Sequence, residues 1–380
     1  MIYKDLITHK KNFNQLLSYS KNSRIQNAYI FHGDGGTGKA AHAIEFFALI
    51  NCNNTLDDDS ACRECSSCKK VISMQHELLT ITLPFPRSKN LSKKDSSLKA
   101  LSDKDLESLT TQLKLKGNDP YYKIELEKAN TILINSVKDI KKNISLSIPN
   151  NSYRLHLILD AEKLCFPNQE SANALLKILE EPTENNFFIL ITSDISKILD
   201  TIVSRCTSIY FDPIEFEKQY NYLVSKGIKN KTAEIITRLS FGDINKSIKI
   251  SKNFDKQIQT LEKIFTSLLN NDLGTWNNVF SYIRDKNNNI EYLKFLSLFI
   301  RDISHYQNDI NENISFSNFK KLIIDFSKIK TINFEDSTKC INDTINNILA
   351  NGYIPLMMTA LFIELQNTFM EYSNKNIEYH

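Results

Sequence analysis

The sequence predicts an α/β fold, a parallel sheet flanked by helices, followed by a region built from helices alone. Three observations predict it. Short apolar runs at 28–31, 76–83, 155–159, 187–192 and 208–211 read as buried strands, and the stretches between them carry helical spacing. Strands that alternate with helices imply a parallel sheet covered on both faces. After Pro213 the strand signals vanish, and only helical patterns remain.

Taken in order, Phe13 to Ser20 reads as a short amphipathic helix and Ala28 to Phe31 as the first strand. Ala40 to Asn51, rich in Ala, Phe and Ile, is the next helix. HELLTITL at 76–83 is a strand. From Pro84 to about Asn130 the chain turns Lys-, Ser- and Asp-rich, with Pro84, Pro86 and Pro120 as breakers, and reads as an insertion carrying one or two surface helices with some disorder. Helical spacing resumes at Ile134, Val137, Ile140 and Ile144. Leu155 to Leu159 is a strand closed by Asp160, and Ser171 to Leu179 is a helix stopped by Glu180, Glu181 and Pro182. Strands at 187–192 and 208–211 follow. Three short helices fit 215–226, 231–239 and 243–251, with breaks near Gly227 and Gly242, and the chain from Gln257 to Tyr372 is helical in pattern. There is no internal repeat.

The chain has 380 residues and a mass of 43.8 kDa, room for two or three domains. Apolar residues make up 41% and charged residues 24%, which excludes collagenous, mucin-like and wholly disordered classes. The longest apolar candidate, Tyr353 to Ile363, falls short of the roughly 18 residues of a membrane span. The opening MIYKDLITHKK lacks an apolar signal-peptide core, so a cytoplasmic protein is expected. A net charge of +3 allows contact with nucleic acid through a local patch but does not argue for it.

Glycine is scarce, yet Gly33, Gly35, Gly36 and Gly38 fall within six residues. The run from Gly33 to Lys39 fits the phosphate-binding loop G-x-x-x-x-G-K. Such glycines let successive N–H groups turn inward around a phosphate, the helix that follows adds its positive dipole end, and Lys39 reaches the β- and γ-phosphates. The next position departs from the pattern. A Ser or Thr there puts a hydroxyl on Mg²⁺, but this chain has Ala40, and Thr37 lies three residues too early to substitute. ATP or ADP therefore remains an open ligand, held through Lys39 and the backbone, with Mg²⁺ short of one donor.

Asp160 ends an apolar strand, the form that positions Mg²⁺ in phosphoryl-transfer enzymes; the plainer alternative is a turn cap. Active members of that class follow the Asp directly with a Glu that orients the attacking water. Here Ala161 follows, and Glu162 comes one residue later, a shift expected to aim its carboxylate elsewhere.

Four of the seven cysteines, Cys52, Cys62, Cys65 and Cys68, lie within 17 residues. Two Cys-x-x-Cys turns and one longer loop supply the four thiolates of a tetrahedral Zn²⁺ site, and with every position filled by protein the site is structural rather than catalytic. Disulfides or free thiols are the alternative. Cys165, Cys206 and Cys340 are isolated.

One further segment, Thr201-Ile202-Val203-Ser204-Arg205-Cys206, completes a recognisable set. Together with the glycine loop, the four cysteines, LILDAEKL, SANALLK followed by LEEP, and ITSDISKILDTIVSRC, the chain resembles the AAA+ clamp-loader subunits of bacterial DNA polymerase III. The likeness is close over 24–83 and 131–211, looser over the helical remainder, and poor at 84–130. It implies an AAA+ P-loop domain with a zinc-binding module (1–211), a small three-helix lid (212–253) and an all-α collar domain (254–380). Within the family two kinds of subunit compete: the ATP-hydrolysing gamma/tau motor, and the delta-prime subunit with a degenerate nucleotide site. In the family the Arg of Ser-Arg-Cys acts on a neighbour's ATP, a role that matches Arg205; without the surrounding likeness it reads as a surface arginine. Ala40, Ala161, and Asn245 where motors carry a nucleotide-sensing arginine all favour a delta-prime-like chain with no ATPase of its own. The resemblance then implies gamma/tau and delta subunits, the sliding clamp and primed DNA as partners, and work at replication forks on the nucleoid. Leu356, Leu361, Phe362 and Leu365 offer a collar surface or, alternatively, internal core. An active gamma-like motor and a scaffold outside replication are the competing functions.

Overall fold

The computed structural model describes residues 1–21, 25–56, 59–92, 94–181, 183–283, 285–310, 314–329 and 332–375; Pro182, expected to stop a helix, lies outside them. The helices are α1 (Lys10–Lys21), α2 (Lys39–Ile50), α3 (Ser66–Ile72), α4 (Asp103–Asn118), α5 (Ile134–Ile144), α6 (Glu170–Glu180), α7 (Asp200–Val203), α8 (Phe216–Ser225), α9 (Asn230–Ser240), α10 (Ile244–Lys252), α11 (Phe254–Leu269), α12 (Leu273–Tyr282), α13 (Lys286–Gln307), α14 (Lys320–Ile329), α15 (Phe334–Leu349) and α16 (Ile354–Lys375). The strands are β1 (Ala28–His32), β2 (Leu79–Thr82), β3 (Arg154–Ile158), β4 (Asn186–Ile191) and β5 (Thr207–Tyr210).

The five strands form one sheet in the order β2-β3-β4-β1-β5, and every pairing is parallel. β1 is interior, with Ile30 opposite Leu190 on one side and Ser208 on the other. β3 and β4 are buried along their whole length, as an apolar run in a doubly covered sheet should be. Their side chains join Val137 and Ile140 of α5, Ala172 and Leu175 of α6 and Ile202 of α7 in one core. β2 starts three residues later than the sequence suggests. The His76 ring accepts the N–H of Leu78 at 3.1 Å and meets the Ser67 hydroxyl at 3.1 Å, which bends the chain ahead of the strand. Pro84, with no N–H to donate, follows its end.

The described residues of 84–130 fold into a helix and a small core of their own. A capping box at Ser102 and Asp105 starts α4. Leu83, Phe85, Leu101, Leu109, Ile124 and Leu126 bury themselves in a minor core of their own.

Two polar residues inside the sheet domain carry no sequence signal. Arg154 is buried, and its guanidinium donates to the carbonyls of Asn143, Leu146 and Ser147, capping the C-terminal end of α5. His156 is fully buried and stacked on Phe188 at 4.9 Å, with the Asn186 side chain on the adjacent strand beside its ring and neither ring nitrogen in a hydrogen bond of good geometry among the described residues. Burial lowers the His156 pKa to about 4. A base whose folded pKa lies below its unfolded value loses stability as pH falls from about 6.5 toward that folded pKa, because the unfolded chain takes the proton first. His156→Leu is therefore expected to stabilise the chain by about 1–3 kcal/mol at neutral pH and to shrink the loss of stability between about pH 6.5 and 4. Urea unfolding at both pH values measures this; a destabilised variant counts against the account.

By contact density the chain divides into two compact units. One comprises Met1–Tyr222 with Phe241–Lys246, the other Leu223–Ser240 with the chain from Ser247 on. The second unit is helical throughout among its described residues. Phe265 stacks on Phe299, with Phe316 and Phe319 edge-on to Phe265. The Trp276 indole donates to the Met358 carbonyl at 2.8 Å. Buried Asp302 accepts the N–H groups of Ser315 and Phe316, both at 2.8 Å. Leu361, Phe362 and Leu365 lie in this unit's own core, while Leu356 is 67% exposed, so of the four candidate collar residues only Leu356 faces outward. No helix among the described residues is long and apolar enough to cross a membrane.

Candidate nucleotide site and cysteine cluster

The strand order brings the C-terminal ends of β1, β3 and β4 side by side, where ligands bind in open α/β sheets. The glycine loop leaves β1, Asp160 follows β3 and Thr192 follows β4. Between them lies a cavity of about 250 Å³ whose walls include Gly35, Gly36, Gly38, Lys39, Asp160 and Thr192. Gly33 does not line it. Its φ of +127° and the Phe211 carbonyl oxygen, with which a Cβ would collide, explain the glycine by backbone shape. Gly38, at φ +82°, is the left-handed N-cap of α2.

Lys39 is buried, and its ammonium donates to Gly33 O at 2.7 Å, to Asp34 O, and to Thr37 Oγ1 at 3.3 Å. Burial lowers its pKa to about 8, opposed by the carboxylates of Asp243, Asp34, Glu162 and Asp160. Two histidines brace the loop from behind. His9 Nε2 donates to Thr37 O at 3.1 Å, and His42 Nδ1 donates to Gly38 O at 2.9 Å. His42 Nε2 accepts the N–H of His9 at 3.0 Å, which fixes the tautomer. Burial holds the His42 pKa at about 3, so the ring stays neutral.

Asp160 adopts a left-handed backbone, φ 49°, at the turn after β3, and its Oδ2 lies 3.7 Å from the Lys163 ammonium. Glu162 is not among the lining residues, but Thr192 is, and Glu162 Oε2 accepts its hydroxyl at 2.6 Å. Ala40 lines the cavity with a methyl group. The Gly242–Ile244 turn lies against the loop: Ile244 N–H donates to Gly36 O at 3.3 Å, and a Cβ on Gly36 would collide with the Asp243 carboxylate. Asn245 also lines the cavity.

Arg205 is not among the lining residues. It stands on the surface past α7, its side chain 37% exposed, with Nη2 2.8 Å from Glu180 Oε1 and Nη1 donating to Thr201 O at 2.9 Å.

Cys52 follows α2, Cys65 caps α3 and Cys68 sits within it; the four sulfurs of Cys52, Cys62, Cys65 and Cys68 lie within 4.8 Å of one another. Measured separations are 3.6 Å for Cys52–Cys68 and 4.0 Å for Cys62–Cys68. A tetrahedron of Zn–S bonds near 2.3 Å spaces its sulfurs by about 3.8 Å. Backbone N–H groups of Cys62, Cys65 and Cys68 donate to the sulfurs of Cys52, Cys62 and Cys65, contacts that orient the sulfurs and stabilise thiolate charge. None of the seven cysteines is in a disulfide. The cluster has the donor set and the spacing to bind zinc.

A parallel sheet with a phosphate loop at its strand ends, followed by helices, defines a P-loop protein of the AAA+ kind. Within that class, the profile of the family described as DNA polymerase III, delta subunit, matches residues 8–215, and the chain belongs to that family of clamp-loader AAA+ subunits of the DNA replication machinery. Among its relatives, the DNA polymerase III subunit delta-prime of Bacillus subtilis is 24% identical over 234 residues, 60% of this chain and 55% of the relative. A DNA polymerase III subunit gamma of Buchnera aphidicola subsp. Baizongia pistaciae is 26% identical over 294 residues, 70% of this chain and 66% of the relative. The chain thus spans 55% and 66% of the length of these two relatives, and 25% of the DNA polymerase III subunit tau of Bacillus subtilis. A crystal structure of a DNA polymerase III gamma subunit-related protein from Thermotoga maritima aligns with 93% of this chain and 99% of its own at 14% identity and a TM-score of 0.41.

Proposed function

We propose that the chain is a delta-prime-like subunit of a DNA polymerase III clamp loader. It leaves ATP hydrolysis to motor subunits and lends Arg205 to a neighbour's active site. Its partners are then gamma/tau and delta subunits, with the sliding clamp and primed DNA reached through the assembly in the cytoplasm. The reading divides the chain into an AAA+ domain (1–211), a lid (212–253) and a collar (254–380).

The observation that carries the reading is the pairing of an exposed Arg205, outside its own cavity, with a home site poor in magnesium donors. Mg²⁺ demands near-octahedral oxygen ligands. Ala40 has no oxygen, Asp160 faces the Lys163 ammonium, and Glu162 holds the Thr192 hydroxyl. These residues do not fit a magnesium ion. A nucleotide does fit: the loop, Lys39 and the helix terminus behind it supply donors for phosphate. The four cysteines hold a structural zinc.

Purified alone, the chain should turn over ATP no faster than a Lys39→Ala variant of itself. Turnover well above that variant sinks the reading and favours the gamma-like motor, which the relatedness to gamma and tau subunits supports.

A further inference from the structure

We propose that the inserted segment between β2 and α5 equips the cavity to bind a nucleoside polyphosphate without a divalent metal, Lys123 supplying the positive charge that magnesium would bring. The inference rests on the degenerate-site reading above and extends it to what the cavity does bind.

The insertion is a wall of the cavity. Lys116, Tyr121, Tyr122 and Lys123 all line it, together with the glycine loop and Asp160. The wall is built rather than draped. Lys116 is 4% exposed, and its ammonium donates to Pro120 O at 2.6 Å. The Tyr3 hydroxyl donates to Lys116 O at 2.9 Å, and the backbone N–H of Tyr3 is itself held by buried Glu45. The Tyr121 hydroxyl accepts the N–H of Ile7 at 2.9 Å, and its ring meets Tyr222 edge-on at 5.3 Å.

The charges in this space are arranged around Asp160. Lys163 stands 3.7 Å from its Oδ2. Lys123 feels the same carboxylate: against the cost of burial, Asp160 and Glu125 raise its pKa above the ordinary lysine value. The acid that would hold a metal is thus already answered by ammonium groups. Lys123 pairs with Glu125 at 2.5 Å, and its side chain is 54% exposed, so an exposed ion pair is all that has to break for its ammonium to meet a phosphate. Lysine binds phosphate as a point charge without needing the bidentate geometry of arginine. A di- or triphosphate entering here meets Lys39 on the loop side and Lys123 on the wall side. Tyr121 and Tyr122 offer apolar surface to the rest of the nucleotide.

The test uses the full-length chain and ADP, with affinity measured by calorimetry in excess EDTA and again in millimolar MgCl₂. The expected result is an affinity that changes less than about twofold between the two conditions. Lys123→Met should weaken binding about tenfold in EDTA, the cost of one lost charge-assisted contact, and Lys123→Arg should restore most of it. Unchanged far-ultraviolet circular dichroism and melting midpoint confirm that the variants fold. A tenfold or greater gain on adding magnesium overturns the proposal, as does a Lys123→Met chain that binds like the parent, or a parent that binds no ADP. Absence of ADP binding leaves the silent-site reading standing; turnover of ATP by the isolated chain sinks that reading instead.

Discussion

An Arg205→Ala chain, assembled with motor and delta subunits, is expected to lower single-turnover ATP hydrolysis at the adjoining site by about 10³-fold or more. The magnitude follows from the chemistry. A guanidinium placed on the γ-phosphate neutralises charge that develops only in the transition state, and its loss removes stabilisation that no water replaces. Arg205 is suited to this because it is already desolvated in part and oriented by two bonds, one to Glu180 Oε1 and one to Thr201 O. Neither is strong enough to keep it at home; an exposed ion pair contributes at most about 1 kcal/mol. Arg205→Lys should recover little, since a point charge on a flexible stem does not reproduce a planar fork. The substitution removes only surface contacts, so stability of the isolated chain should shift by less than about 0.5 kcal/mol, which separates a functional loss from misfolding. An assembly whose hydrolysis at that site is unaltered removes Arg205 from the mechanism.

The second large effect is expected at the cysteines. Metal analysis of protein purified without chelator should find one zinc per chain, and Cys68→Ser should bring it close to zero. Zinc binding to isolated finger peptides is worth about 10–16 kcal/mol, so losing the ion removes the main reason for 52–68 to keep its shape. Cys68 is fully buried and sits inside α3, which makes it the ligand least able to be replaced by water. The readout is protease sensitivity. Cleavage within 52–72 should rise steeply in Cys68→Ser while the sheet core stays protected. A zinc-free parent chain that resists protease as well as the untreated protein contradicts a structural metal.

Most of the scaffold was legible because local pattern and tertiary role coincide there. FFILIT at 187–192 is apolar on both faces, and β4 lies between β3 and β1 with both faces covered. The glycine cluster and the cysteine spacing announce backbone and ligand geometry directly: Gly35, Gly36, Gly38 and Lys39 line one cavity, and the four sulfurs lie within 4.8 Å of one another. What stayed hidden depends on neighbours far away in sequence. The wall formed by Lys116, Tyr121 and Lys123 arises within a polar, proline-punctuated stretch whose apolar residues follow no single period. Its order comes from contacts with Tyr3 and Ile7, more than a hundred residues earlier. Single histidines such as His9 and His42 carry no spacing signal, yet together they hold two carbonyls of the loop. The partner of Glu162 was equally hidden: the short 3₁₀ turn after Asp160 sets its carboxylate against the Thr192 hydroxyl, thirty residues further on. Three of the four apolar α16 residues proposed for a collar are claimed by the core of their own unit, a distinction that hydropathy alone does not make.

The interior position of β1 has a consequence for biosynthesis. Both of its partners, β4 and β5, are encoded more than 150 residues downstream. At ribosomal speeds of about 5–20 residues per second, a nascent chain carries this sticky, unpaired apolar segment for roughly ten to thirty seconds before either edge is satisfied. Slow decoding between the two halves of the sheet should therefore lower the yield of native protein even though the finished molecule is unaltered.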